Sequence, residues 1–142
     1  MMNNKMVQYK ENIFTKILNF FKKIFFRKKD ENKKDIAEPN KNENKEGFIV
    51  EAVEDGSIAV ERVKENGDNY DIVLMDIQMP IMNGHDATRA IRQFNKDIPI
   101  VAMTANAFEE DKRLAIEAGM NEHIPKPIDV KVLKETISRF VK

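Results

Sequence analysis

The chain has 142 residues, 24 basic and 24 acidic side chains, two histidines, no cysteine and no tryptophan. That length fits one domain with an appendage. The lack of cysteine excludes a disulfide framework, a zinc–thiolate centre and a thiol nucleophile, and suits a reducing, cytoplasmic setting. Formal neutrality speaks against a chain-wide nucleic-acid binder, so no nucleic-acid partner is expected.

The charge is unevenly placed. Residues 1–46 carry 12 basic and 7 acidic side chains, and residues 47–142 carry 12 and 17. An arm with an excess of five positive charges is joined to a domain with an equal negative excess. The boundaries that follow are a basic amphipathic segment over 1–29, a polar linker or degenerate helix over 30–46, and a folded domain over 47–142.

Within the arm, Ile13, Phe14, Ile17, Leu18, Phe21, Ile24 and Phe25 recur at three- and four-residue steps, with Lys16, Lys22 and Lys23 between them. This is a basic amphipathic helix pattern over 12–26. It is too short and too charged to cross a bilayer, and no signal-peptide cleavage pattern follows it. Such a segment, 12–29 with its flanking Arg27, Lys28 and Lys29, can lie on an anionic membrane surface. It can also cover apolar surface of the same chain as a helix or strand, and this second reading is preferred. Residues 30–46 hold Ile36, Ala37 and Pro39 among polar side chains and read as linker.

From Gly47 the pattern alternates. Phe48–Ala52 is a short β-branched, apolar strand. Asp55-Gly56 turns the chain, and Ser57 caps a helix that faces inward with Ile58, Ala59 and Val63 and stops at Gly67. Tyr70–Asp76 holds an unbroken apolar run, as in a strand buried on both faces. Met79-Pro80 and Gly84 shape a turn. The next helix runs to about Phe94 with Ala87 and Ile91 inward and Phe94 a candidate for the same face. Ile98–Thr104 is a second buried strand, and Phe108–Ala118 is a helix with Leu114 and Ala115 inward, closed by Gly119. His123–Pro125 is a last short strand. From Asp129 a final helix repeats Val130, Leu133, Ile137 and Phe140 on one face.

Alternating strands and helices predict an α/β fold with a parallel sheet covered on both sides. Ligands in such folds bind beyond the carboxyl ends of the strands. The reactive residues at those ends are Asp76, Thr104 and Lys126. A carboxylate can attack phosphorus to give an acyl phosphate. The charge that then meets charge is offset by Mg²⁺ and fixed donors. Lys126 pairs with one phosphoryl oxygen as a point charge, and Thr104 donates its hydroxyl to another.

Three segments, LMDIQMPIMNGHDATRAIR, PIVAMTANAF and GMNEHIPKPI, closely resemble the response-regulator receiver domain, above all the receivers of hybrid sensor histidine kinases. The resemblance spans about Gly47 to Lys142. It implies a flavodoxin-like parallel sheet of order 2-1-3-4-5 with five helices. It implies phosphate acceptance on Asp76, a switch hydroxyl at Thr104 and a phosphate-pairing Lys126 before a cis proline bond. It also implies Mg²⁺ on Asp76 and the Gln78 carbonyl, with a sensor kinase or histidine phosphotransfer protein as donor. His123 stands at the family's mobile aromatic position and is read as a rim histidine without a metal role. The chain is then a phosphoacceptor, not an enzyme beyond self-phosphorylation and slow autodephosphorylation, and no output domain is expected after the last helix.

The departure lies at the start. Phe48–Ala52 matches the family's second strand, so the first strand, central in the sheet, and its acidic pair must come from residues 20–46 or be missing. Lys23–Phe26 can supply the strand, with Asp30 and Glu31 as metal-binding carboxylates. Otherwise the receiver is truncated and acts as a phosphorylation-independent interaction module. A strand donated by a second copy, giving a homodimer, is left open. A dehalogenase-type phosphatase is disfavoured because Gln78 stands where its second aspartate belongs. A flavodoxin is disfavoured because no hydroxyl-rich phosphate loop follows the first strand.

Overall fold

The computed structural model describes residues 23–28, 42–43, 48–106 and 108–141. In chain order the strands are β1 (Lys23–Lys28), β2 (Asn42–Glu43), β3 (Phe48–Val53), β4 (Ile72–Asp76), β5 (Ile100–Thr104) and β6 (Glu122–Pro125). The helices are α1 (Gly56–Asn66), α2 (Gly84–Arg92), α3 (Glu109–Ala118) and α4 (Val130–Phe140), and a short 3₁₀ turn at Gly67–Asn69 follows α1.

These strands form one sheet of order β2-β3-β1-β4-β5-β6. From β3 onward this is the flavodoxin-like arrangement, with β4, β5 and β6 parallel to one another. Alternation along β4 explains the layering. Val73 and Met75 join Ala59, Val63, Ala87, Ile91 and Ala115 in a core beneath α1, α2 and α3. Ile72 and Leu74 join Val101, Met103, Ile124, Leu133 and Ile137 beneath α4. All five residues of β4 and all five of β5 are buried, as their apolar runs require.

The slot between β3 and β4 is filled by β1. It pairs with β3 from Lys23↔Val53 to Lys28↔Phe48, and with β4 from Lys23↔Met75 to Phe26↔Ile72. Both pairings are antiparallel. The central strand is therefore present, at the place that the family order demands, but it runs backwards. Its neighbours β3 and β4 keep the same direction as each other, so the reversal is confined to one strand. The amphipathic-helix reading of 12–26 fails over Lys23–Phe26. The two flanking strands offer a backbone ladder on either side, and Ile24, Phe25 and Phe26 belong to residue types that suit it. The rest of that reading, 12–22, lies outside the described residues.

Smaller differences have local causes. The cap of α1 is Asp55, whose Oδ1 accepts from the Ser57 and Ile58 amides at 2.7 and 3.1 Å, while Ser57 sits inside the helix and donates its hydroxyl to the same oxygen at 2.6 Å. α2 ends at Arg92, which leaves Phe94 in the following turn and 43% exposed. Arg92 holds that turn from beneath, donating to the carbonyls of Gly119 and Asn95 and to the Asn121 side chain. Gly119, at φ 106°, closes α3 in the left-handed conformation that favours glycine.

Candidate phosphoacceptor site

The carboxyl ends of β4, β5 and β6 bring the three predicted residues together. Asp76 closes β4 and is 4% exposed. Lys126 follows β6, and its Nζ donates to Asp76 Oδ2 at 2.8 Å. The backbone holds that lysine, since its amide donates to the Thr104 carbonyl at 2.7 Å. The Lys126–Pro127 bond is cis, as the resemblance implies. Opposite charges in hydrogen-bond contact at a nearly buried site give a strong, oriented pair.

Asp76 Oδ1 is held separately, accepting from the Gln78 amide at 3.0 Å. The Gln78 carbonyl is the group that the resemblance implies at this site; the contact present is made by its amide. The donated N–H comes from the turn after the strand, a bond typical of Asp at such positions. The turn itself is fixed from two sides: Ile77 donates to the Met103 carbonyl, and Gly84 donates to the Ile77 carbonyl. Gly84 is needed there. A Cβ on it would overlap the carbonyl oxygen of Asp76 and the Cα of Ile77. Gly56 meets Met82 in the same way from α1.

Thr104 closes β5 and is 3% exposed. Its Oγ1 is buried and has no hydrogen-bond partner. An orphaned hydroxyl at a strand end, beside an aspartate–lysine pair, is an unusual feature that calls for an explanation. The only other buried side-chain polar atom without a partner among the described residues is His85 Nε2, in the first turn of α2. Burial lowers the His85 pKa, Arg89 adds to the effect, and Asp86 and Asp111 oppose it. No pattern in the sequence marked this histidine. It also lines an open cleft of about 610 Å³ with Ile77, Gln78, Met79, Pro80 and Asn83, in the turn that follows Asp76.

His123 lies half-buried on β6 with Nδ1 at 3.8 Å from Glu122, which in turn pairs with Arg139 at 3.2 Å. Asp30 and Glu31 lie outside the described residues. Lys28, the last described residue before them, is paired with Phe48, at the end of the sheet remote from Asp76. Of the described residues, those that would hold Mg²⁺ are Asp76, through its carboxylate, and Gln78, through its carbonyl. Among the described residues no cluster of three His, Cys, Asp or Glu side chains is placed to hold a metal. These hard oxygen donors fit an ion held largely by water and phosphoryl oxygens, not by a dedicated protein cage.

The fold and this edge define a class: a doubly wound α/β domain that presents a buried aspartate, a hydroxyl and a lysine at successive strand ends. Comparison with known proteins places it further. The family described as the response regulator receiver domain matches residues 31–138, and the chain belongs to it. It is 39% identical over 94 residues to a two-component response regulator of Oryza sativa subsp. japonica, covering 66% of this chain and 74% of that protein. It is 38% identical over 102 residues to hybrid signal transduction histidine kinase M of Dictyostelium discoideum, covering 68% of this chain but only 4% of that protein's length. Among solved structures, the receiver domain of a Pseudomonas aeruginosa sensor histidine kinase, with a magnesium ion in its active-site cleft, superposes with a TM-score of 0.56 at 37% identity, covering 62% of this chain and 72% of that one. A receiver domain of Saccharomyces cerevisiae, crystallised with the histidine phosphotransfer protein Ypd1, gives a TM-score of 0.56 at 31% identity and covers 60% and 66%.

Proposed function

We propose that this receiver accepts a phosphoryl group on Asp76 from a histidine phosphodonor and so serves as one station of a histidine–aspartate phosphorelay. The observation that carries the reading is the pairing of Asp76 with Lys126 at 2.8 Å beside the buried, unpartnered Thr104 hydroxyl. An Asp76 carboxylate oxygen forms the new O–P bond, the P–N bond to the donor imidazole breaks, and its electron pair stays on that nitrogen. Lys126 meets a phosphoryl oxygen with its ammonium, and Thr104 supplies a hydroxyl donor to another. The Gln78 amide keeps the carboxylate oriented throughout. Mg²⁺, on Asp76 and the Gln78 carbonyl, would supply the remaining charge compensation.

The partners in this reading are a sensor histidine kinase or a histidine phosphotransfer protein, as in the yeast complex. The chemistry is that of a phosphoacceptor, with self-phosphorylation and slow autodephosphorylation its only reactions. The receiver occupies 47–142 plus β1 and β2, so the linker reading of 30–46 gives way at Asn42–Glu43, which pairs with β3; the rest of 30–46 is the connection and the rest of 1–29 a basic arm. A cytoplasmic setting goes with a histidine phosphodonor as partner. Among the described residues no helix is long and apolar enough to cross a membrane. The conjunction of Asp76, Thr104 and Lys126 supports phosphoacceptance over a phosphorylation-independent interaction module, which the lack of an acidic pair at this edge among the described residues would favour.

The test is chemical trapping. After incubation with acetyl phosphate and Mg²⁺, borohydride reduction should convert residue 76, and no other aspartate, to homoserine in a peptide map. Reduction at another aspartate, with Asp76 untouched, overturns the assignment.

A further inference from the structure

The loop between β4 and α2 holds one apolar side chain out of the protein. Pro80, Ile81 and Met82 form a three-residue turn, closed by the Met82 amide on the Pro80 carbonyl at 2.7 Å. Ile81 at its centre has φ 67°, the rare and strained form of such a turn. The loop is locked on both sides. Ile77 donates to the Met103 carbonyl and accepts from Gly84, and the Asn83 side chain caps α2 through the Asp86 amide at 2.8 Å. Ile77, Met79 and Met82 pack against the core. Ile81 is turned away from it and is 87% exposed, the most exposed large apolar side chain among the described residues. A β-branched residue at positive φ costs conformational energy, and apolar surface left in water contributes nothing to offset it. Residues held in this way cluster where a protein meets a ligand or a partner.

The place of the turn points to the partner. It lies in the loop that leaves β4 directly after Asp76, at the carboxyl edge of the sheet. Residues 77–83, IQMPIMN, carry no charge in a chain that is 34% charged. Asp76 is 4% exposed, so a protein that brings a phosphohistidine within bonding distance must lay its surface over the rim of this edge. A small donor such as acetyl phosphate need not touch the rim. The cores of protein interfaces are depleted of charge and rich in apolar side chains, and an uncharged loop does not repel an incoming phosphoryl dianion. We propose that Ile81 is a docking anchor for the protein histidine phosphodonor, meeting apolar surface beside the donor's phosphohistidine. This rests on the phosphoacceptor reading and deepens it, by naming a residue that serves protein donors without taking part in the chemistry. The strained turn holds the anchor outward before the partner arrives, which leaves little to order on binding.

The experiment sets a protein donor against a small one. Ile81→Gly and Ile81→Asn remove the apolar side chain with residues that tolerate positive φ, and Ile81→Leu keeps it. Ile116→Asn is the control, since Ile116 is 61% exposed in the last turn of α3, where that helix has run back from the carboxyl edge. Each full-length variant is labelled twice and read by intact mass: with acetyl phosphate and Mg²⁺, and with Mg²⁺ and the yeast histidine phosphotransfer protein Ypd1, phosphorylated beforehand. Urea midpoints are recorded alongside. The expected result is a several-fold slower transfer from phosphorylated Ypd1 to Ile81→Gly and Ile81→Asn, with labelling by acetyl phosphate unchanged. Ile81→Leu and Ile116→Asn should match the wild type with both donors. Wild-type transfer to Ile81→Gly and Ile81→Asn, a matching loss with acetyl phosphate, or an equal loss in Ile81→Leu or Ile116→Asn overturns the proposal. So does a wild-type chain that takes label from acetyl phosphate and none from phosphorylated Ypd1. A wild-type chain that takes no label from either donor overturns the phosphoacceptor reading itself, which no Ile81 variant can imitate.

Discussion

Thr104→Val is expected to make the resting domain more stable while damaging its response. The Thr104 hydroxyl is buried at 3% exposure and finds no partner within the protein. An unsatisfied buried hydroxyl costs about 1–3 kcal/mol. Valine keeps the branched shape at the end of a strand that is buried along its whole length, so little packing is lost. Taking the low end of the range, the variant should gain about 1 kcal/mol, which for a domain of this size raises Tm by about 4–8 °C. Urea and thermal unfolding of both proteins, unphosphorylated, supply the numbers. In the phosphorylated state the gain should vanish, because only the wild-type hydroxyl then acquires an acceptor. A loss of stability of about 1 kcal/mol or more in the unphosphorylated variant would mean that the hydroxyl was already satisfied.

Three further outcomes follow from the same geometry. Gly84→Ala would push a methyl group into the Asp76 carbonyl, and overpacking against backbone should cost about 1–3 kcal/mol in a urea titration and slow phosphoryl uptake; unchanged stability and uptake would contradict the close approach. Ile81 sits 87% exposed at φ 67° in a tight turn closed by the Met82 amide on the Pro80 carbonyl at 2.7 Å. Backbone strain there, of order 1–3 kcal/mol, less the entropic cost of glycine at about 0.5–1 kcal/mol, predicts that Ile81→Gly stabilises by about 1 kcal/mol, and a lower urea midpoint would contradict it. Burial, aided by Arg89, lowers the His85 pKa below its ordinary 6.5, so between those two values the unfolded chain binds the extra proton. That contribution to stability is complete above pH 6.5 and fades as pH falls through the lowered value. The urea midpoint of the wild type should drop across this window more steeply than that of His85→Phe, and parallel profiles would count against a buried neutral imidazole.

The site was legible because its residues end buried strands. An apolar run such as IVLM followed by Asp, or IVAM followed by Thr, fixes both the strand and the edge at which the polar residue emerges, and Lys126 before a proline completes the set. The polarity of β1 was not legible. Short runs of alternating lysine and aromatic residues satisfy a helical period and a strand equally, and the choice was made by a slot between β3 and β4 that no local pattern describes. The same holds for the cap of α1, where Asp55 and Ser57 compete for one role and geometry gives it to Asp55. Ile81 ran against every local signal, because a β-branched residue rarely takes positive φ. His85 gave no signal either, since nothing in its local pattern marks a nitrogen that is buried without a partner.

The phosphoacceptor role of Asp76 meets its plainest test in the intact mass of the full-length chain after incubation with acetyl phosphate and Mg²⁺, beside Asp76→Asn treated in the same way. A single phosphoryl adduct on the wild type and none on the variant is the expected result. No adduct on a wild-type protein whose circular dichroism shows the folded α/β domain, or an adduct that persists in Asp76→Asn, would contradict the claim that Asp76, Thr104 and Lys126 form a working phosphoacceptor site.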